Sequence, residues 1–156
     1  MKFRVITLVA LVAGLIPAAA LGTGTASGVV NLFASMNGKV EVPKGDPKAT
    51  GKVEVKLNAA TGKVCWEFTL SGVKGPSAAH IHKGRAGTAG GVVVAFGTTY
   101  KREGCTTAAK ALIKSILAAP GSYYVNVHTT KYPAGAVRGQ LSKTEASKNA
   151  SGGYTD

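Results

Sequence analysis

The chain contains three histidines, His80, His82 and His128. His80 and His82 flank Ile81 in the stretch Ala78-Ala79-His80-Ile81-His82. Side chains alternate faces along a strand, so these two imidazoles point the same way, about 7 Å apart. His128 closes a second strand-like run, Tyr123-Tyr124-Val125-Asn126-Val127-His128. Pairing of the two runs in one sheet would gather all three rings. Neutral imidazoles are good ligands for copper or zinc, and three of them around an open position make a common coordination set. The same rings would serve equally well as a buried polar cluster that hydrogen-bonds its neighbours and fixes strand register. The residue types support both readings.

Parity enlarges the group. Asn126 shares a face with His128, and in the closing run Ala136-Val137-Arg138-Gly139-Gln140-Leu141 the polar residues Arg138 and Gln140 share one too. Ile81, Val125, Val127, Val137 and Leu141 have the opposite parity and suit a core. His80, His82, Asn126, His128, Arg138 and Gln140 are therefore expected as one patch on adjoining strands, near the glycine-rich loop from Gly84 to Gly91. Arg138 could guide an anionic substrate, yet close to the histidines it would oppose a cation. Ser-His-Asp hydrolysis finds no support, because no nucleophile-elbow motif and no acidic residue beside a histidine is present. The glycine loop lacks the Gly-Lys-Ser/Thr ending of a phosphate-binding loop and reads as a turn between strands.

The elements that must position this patch are mostly strands. Val53, Val55 and Leu57 alternate with Glu54 and Lys56, the turn Asn58-Ala59-Ala60-Thr61-Gly62 follows, and Val64, Trp66, Phe68 and Leu70 then alternate with Cys65, Glu67 and Thr69. Period two on both sides of a glycine-containing turn predicts a hairpin with one buried face. Further strands are expected over 29–35, 39–42, 78–82, 92–96, 122–129 and 136–141. One short helix is expected around 107–118: Ala109, Leu112, Ile113, Ile116 and Leu117 recur at helical spacing, Thr106 or Thr107 can cap the start, and Pro120-Gly121 ends it. Many short strands between Gly- and Pro-rich turns predict an all-β fold, a Greek-key β-sandwich or barrel of immunoglobulin-like or superoxide-dismutase-like architecture.

At the N-terminus, Lys2 and Arg4 precede an apolar run from Val5 to Ile16, then Pro17 and Ala18-Ala19-Ala20. This order predicts a secretory signal peptide, with signal and flexible start over 1–27, a β domain over 28–142 and a flexible tail over 143–156. The apolar run is shorter than the ~20 residues a spanning helix needs. Export suits the two cysteines: Cys65 and Cys105 are the whole complement, and in an oxidising compartment a lone pair most simply forms a disulfide. The chain carries a net charge of +12; without Lys2 and Arg4, seventeen basic and seven acidic residues leave +10. A basic exported domain favours anionic extracellular or envelope ligands. The basic residues are scattered, with no clustered stripe or recognisable module, which argues against nucleic acid as a partner. Asn149-Ala150-Ser151 fits a glycosylation sequon, a short pattern that chance also produces.

The two most specific segments, Ala78-Ala79-His80-Ile81-His82-Lys83-Gly84 and Tyr124-Val125-Asn126-Val127-His128-Thr129, with the Pro133-to-Leu141 close, resemble the chordin-type (CHRD) domain family. Val40-Glu41-Val42-Pro43 is similar to that family's Glu-Val-Pro element, and the resemblance spans about residues 29–142. It implies an extracellular all-β domain and supplies no enzymatic activity; chordin's growth-factor antagonism, which depends on other domains, is not carried over. The His-x-His strand and disulfide are also similar to copper/zinc superoxide dismutases. From those this chain departs in having no fourth histidine and no acidic residue near the triplet for a zinc subsite. The sequence thus points to a secreted or envelope-associated, non-enzymatic binding or structural domain. The alternative is a copper- or zinc-binding protein using His80, His82 and His128.

Overall fold

The computed structural model describes residues 28–145. The expected signal peptide, the sequon at Asn149 and all of the expected tail beyond Glu145 lie outside this range.

Eight strands form one antiparallel sheet: β1 Val30–Asn37, β2 Thr50–Asn58, β3 Lys63–Ser71, β4 Pro76–Lys83, β5 Val92–Ala95, β6 Glu103–Thr107, β7 Tyr123–Thr129 and β8 Val137–Gln140. Their spatial order is β5-β4-β7-β8-β1-β2-β3-β6. The chain builds the β1–β2–β3 meander, then crosses to the far end of the order to lay down β4 and β5. It returns for β6 and finishes with β7 and β8 in the middle.

The segment 96–102 draws the two ends of the sheet together. On one side Phe96 N–H donates to Ala79 (3.0 Å) and Tyr100 N–H to Ser77 (2.8 Å), both on β4. On the other, Arg102 accepts from Phe68 N–H (2.8 Å) and Lys101 from the Trp66 indole (3.0 Å), both on β3. Phe96 stacks on Trp66 with ring centroids 4.6 Å apart and meets Phe68 edge-on. The result is the all-β, nearly closed barrel that the short alternating strands imply.

The hairpin forms where period two places it. Val53, Val55, Leu57, Val64, Trp66 and Phe68 are buried, and Val55 faces Trp66 across the β2–β3 pair. Its turn is set by Asn58, whose Oδ1 accepts from the N–H groups of Ala60 (2.9 Å) and Thr61 (3.0 Å). Gly62, at φ +80°, completes it. Burial of such side chains contributes roughly 1.5–3 kcal/mol each.

Three local expectations are corrected. Residues 39–42 form no strand; Gly38–Val40 is a 3₁₀ turn, whose start Asn37 caps by accepting from Val40 N–H (3.2 Å). The helix, α1, begins at Lys110 and runs to Ala118, with Ile113 and Ile116 buried. Thr106 and Thr107 do not cap it, because they belong to β6, and the residue before the helix is Ala109, which makes no side-chain cap. Cys105 is likewise in β6, directly opposite Cys65 of β3, with Cα atoms 4.0 Å apart, and the two form the disulfide. The bridge therefore staples an edge strand to its neighbour.

Candidate functional site

Strands β4, β7 and β8 lie side by side, and their register places the expected patch on one face. His80 pairs with Asn126, Asn126 with Arg138, Ala78 with His128, His82 with Tyr124, and Tyr124 with Gln140. The opposite face carries Ile81, Val125, Val127, Val137 and Leu141 into the core, all essentially inaccessible. A solvated outer face would be unremarkable in an antiparallel sheet. Here the loops over 38–45 and 84–91 fold across it, so Arg138 and Asn126 are each only 1% exposed and His82 7%.

Arg138 is the centre of the covering. Its guanidinium donates to the backbone carbonyls of Thr88 (3.0 Å) and Arg85 (3.1 Å) and to Gln140 Oε1 (2.9 Å). Its Cζ lies 3.4 Å from the Tyr124 ring centroid. Gln140 Nε2 in turn donates to the carbonyls of Gly84 (3.0 Å) and Gly121 (2.9 Å). On the other side of Tyr124, His82 stacks nearly parallel at 4.8 Å and pairs through Nδ1 with Gly90 O (2.8 Å) and through Nε2 with Asn126 Oδ1 (2.9 Å). Gly90 N–H donates to the Tyr124 hydroxyl (3.1 Å). Four side chains from three strands thus hold the glycine loop by its backbone. Gly90 itself has to lack a Cβ, since one would collide with the Lys83 carbonyl.

Glu41 belongs to the same buried layer. It is 3% exposed, with its carboxylate 4.0 Å from Arg138 Nη1. Oε1 accepts from Val42 N–H (3.1 Å), whereas Oε2 has no hydrogen-bond partner among the described residues. Desolvation raises the carboxyl above its usual 4.5, opposed by the Val42 N–H, the charge of Arg138 and the nearby Asn126 side chain. Gly135, at φ +141°, leaves the space that the carboxylate occupies.

The three histidines do come together, but not as equals. His80 Nδ1 lies 3.0 Å from His128 Nε2, and His128 Nδ1–H donates to Pro133 O (2.9 Å). Pro133 is presented by a tight turn in which Tyr132 N–H donates to Thr129 Oγ1 (3.0 Å) and Gly135 N–H to Tyr132 O (3.1 Å). His80 and His128 are half-buried and reachable from solvent; His82 is buried beneath the loop. Ring centroids are 4.9 Å apart for His80 and His128, 5.6 Å for His80 and His82, and 6.2 Å for His82 and His128. Burial first, then the neighbouring rings His128 and His82, lowers His80 to about 4. Burial also lowers His128, against the Pro133 hydrogen bond, which raises it. Both rings are neutral at pH 7; with the His128 proton on Nδ1, its Nε2 accepts from His80 Nδ1–H.

Two members of the layer are absent from the sequence-derived patch. Tyr124 has the parity of Asn126 and His128, so the signal was present; as a strand aromatic it invited an ordinary packing role. Glu41 had no such signal, because its contact with Arg138 depends on the 3₁₀ turn.

The family model of the CHRD domain matches residues 32–141. No curated protein and no solved structure matches the chain.

Proposed function

The chain belongs to the CHRD domain family, and from that premise we propose that it is an exported, non-enzymatic binding domain that works outside the cell or at its envelope. The observation that carries this reading is the use to which the patch is put. Arg138, Gln140, Asn126 and His82 spend their polar atoms on backbone carbonyls and on one another. That is the pattern of a rigid scaffold presenting loops, and these four side chains do not form a nucleophile–base pair. The Cys65–Cys105 disulfide supports an oxidising destination, as does the signal-like order of residues 1–20.

A basic surface supports an anionic ligand. Exposed Lys48, Lys74 and Lys131 surround a concavity of about 470 Å³ that Tyr132 and Thr129 also line, with Asp46 the acidic residue at its rim. Expression of the full chain followed by fractionation and N-terminal sequencing tests export. A cleaved protein outside the cytoplasm, with no free thiol, is the expected result; an uncleaved cytoplasmic protein with two free thiols would contradict it. Ligand charge is tested on an immobilised anionic polysaccharide. Retention at low salt should be weakened by Lys48→Glu, Lys74→Glu and Lys131→Glu together, and retention unchanged by that triple substitution would reject this face.

A further inference from the structure

We propose that His80 Nδ1 and His128 Nε2 are the two protein ligands of a divalent copper or zinc site, and that His82 is a neighbouring support and not a third ligand. Two nitrogens bound at about 2.0–2.1 Å to one tetrahedral cation are roughly 3.3 Å apart. The two atoms already face one another at 3.0 Å, so a cation enters with a small separation of the rings. His128 has the arrangement common to metal-ligating imidazoles: its other nitrogen donates to a backbone carbonyl, Pro133 O, which leaves the Nε2 lone pair directed at the site. His80 has a single hydrogen-bond partner, His128, to which it donates through Nδ1–H; coordination through Nδ1 replaces that one bond and moves the His80 proton to Nε2, and displaces no other contact among the described residues. Both rings are half-buried, which gives a cation a path and leaves positions for water or an external donor.

His82 does not fit as an equal third ligand. Its nitrogens face other groups, Nδ1 the Gly90 carbonyl and Nε2 the Asn126 side-chain amide. The ligand atoms of the three rings spread over as much as 4.8 Å, whereas two nitrogens on one such ion are at most about 4.2 Å apart. Turning His82 inward would release Gly90 and break its stacking on Tyr124. The donor set is therefore two imidazoles with no carboxylate. Such a set favours copper(II) over zinc by the usual order of affinities.

This assignment stands apart from the export reading, and neither fails with the other. The test is titration of the purified, untagged protein with Cu(II) and with Zn(II), read by calorimetry and, for copper, by electron paramagnetic resonance. The expected result is one Cu(II) per chain bound more tightly than Zn(II), with two coordinated nitrogens. Losing only a ligand's supporting hydrogen bond costs roughly 10–100-fold, so His80→Ala or His128→Ala should weaken binding at least about 100-fold, and His82→Ala less than about tenfold. His80→Gln, which keeps a hydrogen-bonding group toward His128, is decisive if the alanine variant does not fold. Absence of one-to-one binding by either metal, undiminished binding in His80→Gln, or an equal loss in His82→Ala would overturn the two-ligand site.

Discussion

In the β1–β2–β3 meander each strand buries one face. Val53, Val55 and Leu57 go inside, while Lys52, Glu54 and Lys56 lie on the outward side, the two lysines in long, exposed ion pairs and Glu54 accepting from Asn31 (2.7 Å). In β7 every residue from Tyr123 to Val127 is buried, because the loops 38–45 and 84–91 close over the outward side. The meander packs a single apolar face, is stapled at β3 by the Cys65–Cys105 disulfide, and keeps its outward polar residues at the surface. The β4–β7–β8 side has an apolar layer inside and a second, polar layer outside, which is stable only because nearly every buried donor and acceptor finds a partner. The contrast teaches that the hallmark polar residues of this chain act chiefly on backbone. The His80–His128 pair, half-buried at the layer's edge, is where the proposed metal site lies.

The same class of substitution should therefore have very unequal consequences in the two regions. Arg138→Met leaves Glu41 buried without its counter-charge and frees the carbonyls of Arg85 and Thr88. A loss of about 3–5 kcal/mol is expected in urea unfolding. Lys52→Met in the meander, which breaks only an exposed 3.6 Å ion pair with Glu145, should stay within about 0.5 kcal/mol. Equal effects would erase the distinction between the halves.

Removing the staple of the apolar half comes next. Cys65→Ser with Cys105→Ser opens a closure across a sequence separation of 40 and should cost about 3–4 kcal/mol on the chain-entropy account, also by urea unfolding. The polar layer should keep its structure in that variant, with the Tyr124–His82 contact still visible as ring-current shifts.

Acid should sharpen the comparison from the polar side. His80 is about 4 when folded against 6.5 when unfolded, and His128 is lowered too. The unfolded chain thus binds more protons through this window, and stability falls as pH drops from about 6.5 toward 4. Glu41, raised above 4.5, works in the opposite sense, since its folded form prefers the proton. His80→Gln should flatten the decline and Glu41→Gln should steepen it, measured as the slope of unfolding free energy against pH. Identical slopes in all three proteins would contradict the shifts.

Much of this was legible in the residues. The hairpin over 50–71 follows from period two and the Asn58–Gly62 turn, and parity alone grouped His80, His82, Asn126, His128, Arg138 and Gln140. What stayed hidden depends on loop backbone. Glu41 reaches Arg138 only through the 3₁₀ turn after Asn37, and the carbonyls of Gly84, Arg85, Thr88 and Gly90 become partners only once the glycine loop folds back. Strand β6 was invisible for a different reason. Glu103-Gly104-Cys105-Thr106-Thr107 has no apolar alternation, because Gly104 leaves room for the Trp66 ring instead of filling the core itself.

The claim that the polar layer clamps the glycine loop is tested most directly by amide hydrogen exchange in Gln140→Ala. This change removes the donors to Gly84 O, Gly121 O and Tyr123 O and the acceptor of Arg138, while leaving the buried charges in place. Exchange at Gly84 and Gly90 should quicken by about 100-fold, as expected for roughly 3 kcal/mol of local stability. The Val55 and Phe68 amides of the meander should change far less. A uniform acceleration across both regions, or none at the loop, would show that the layer does not act as a clamp.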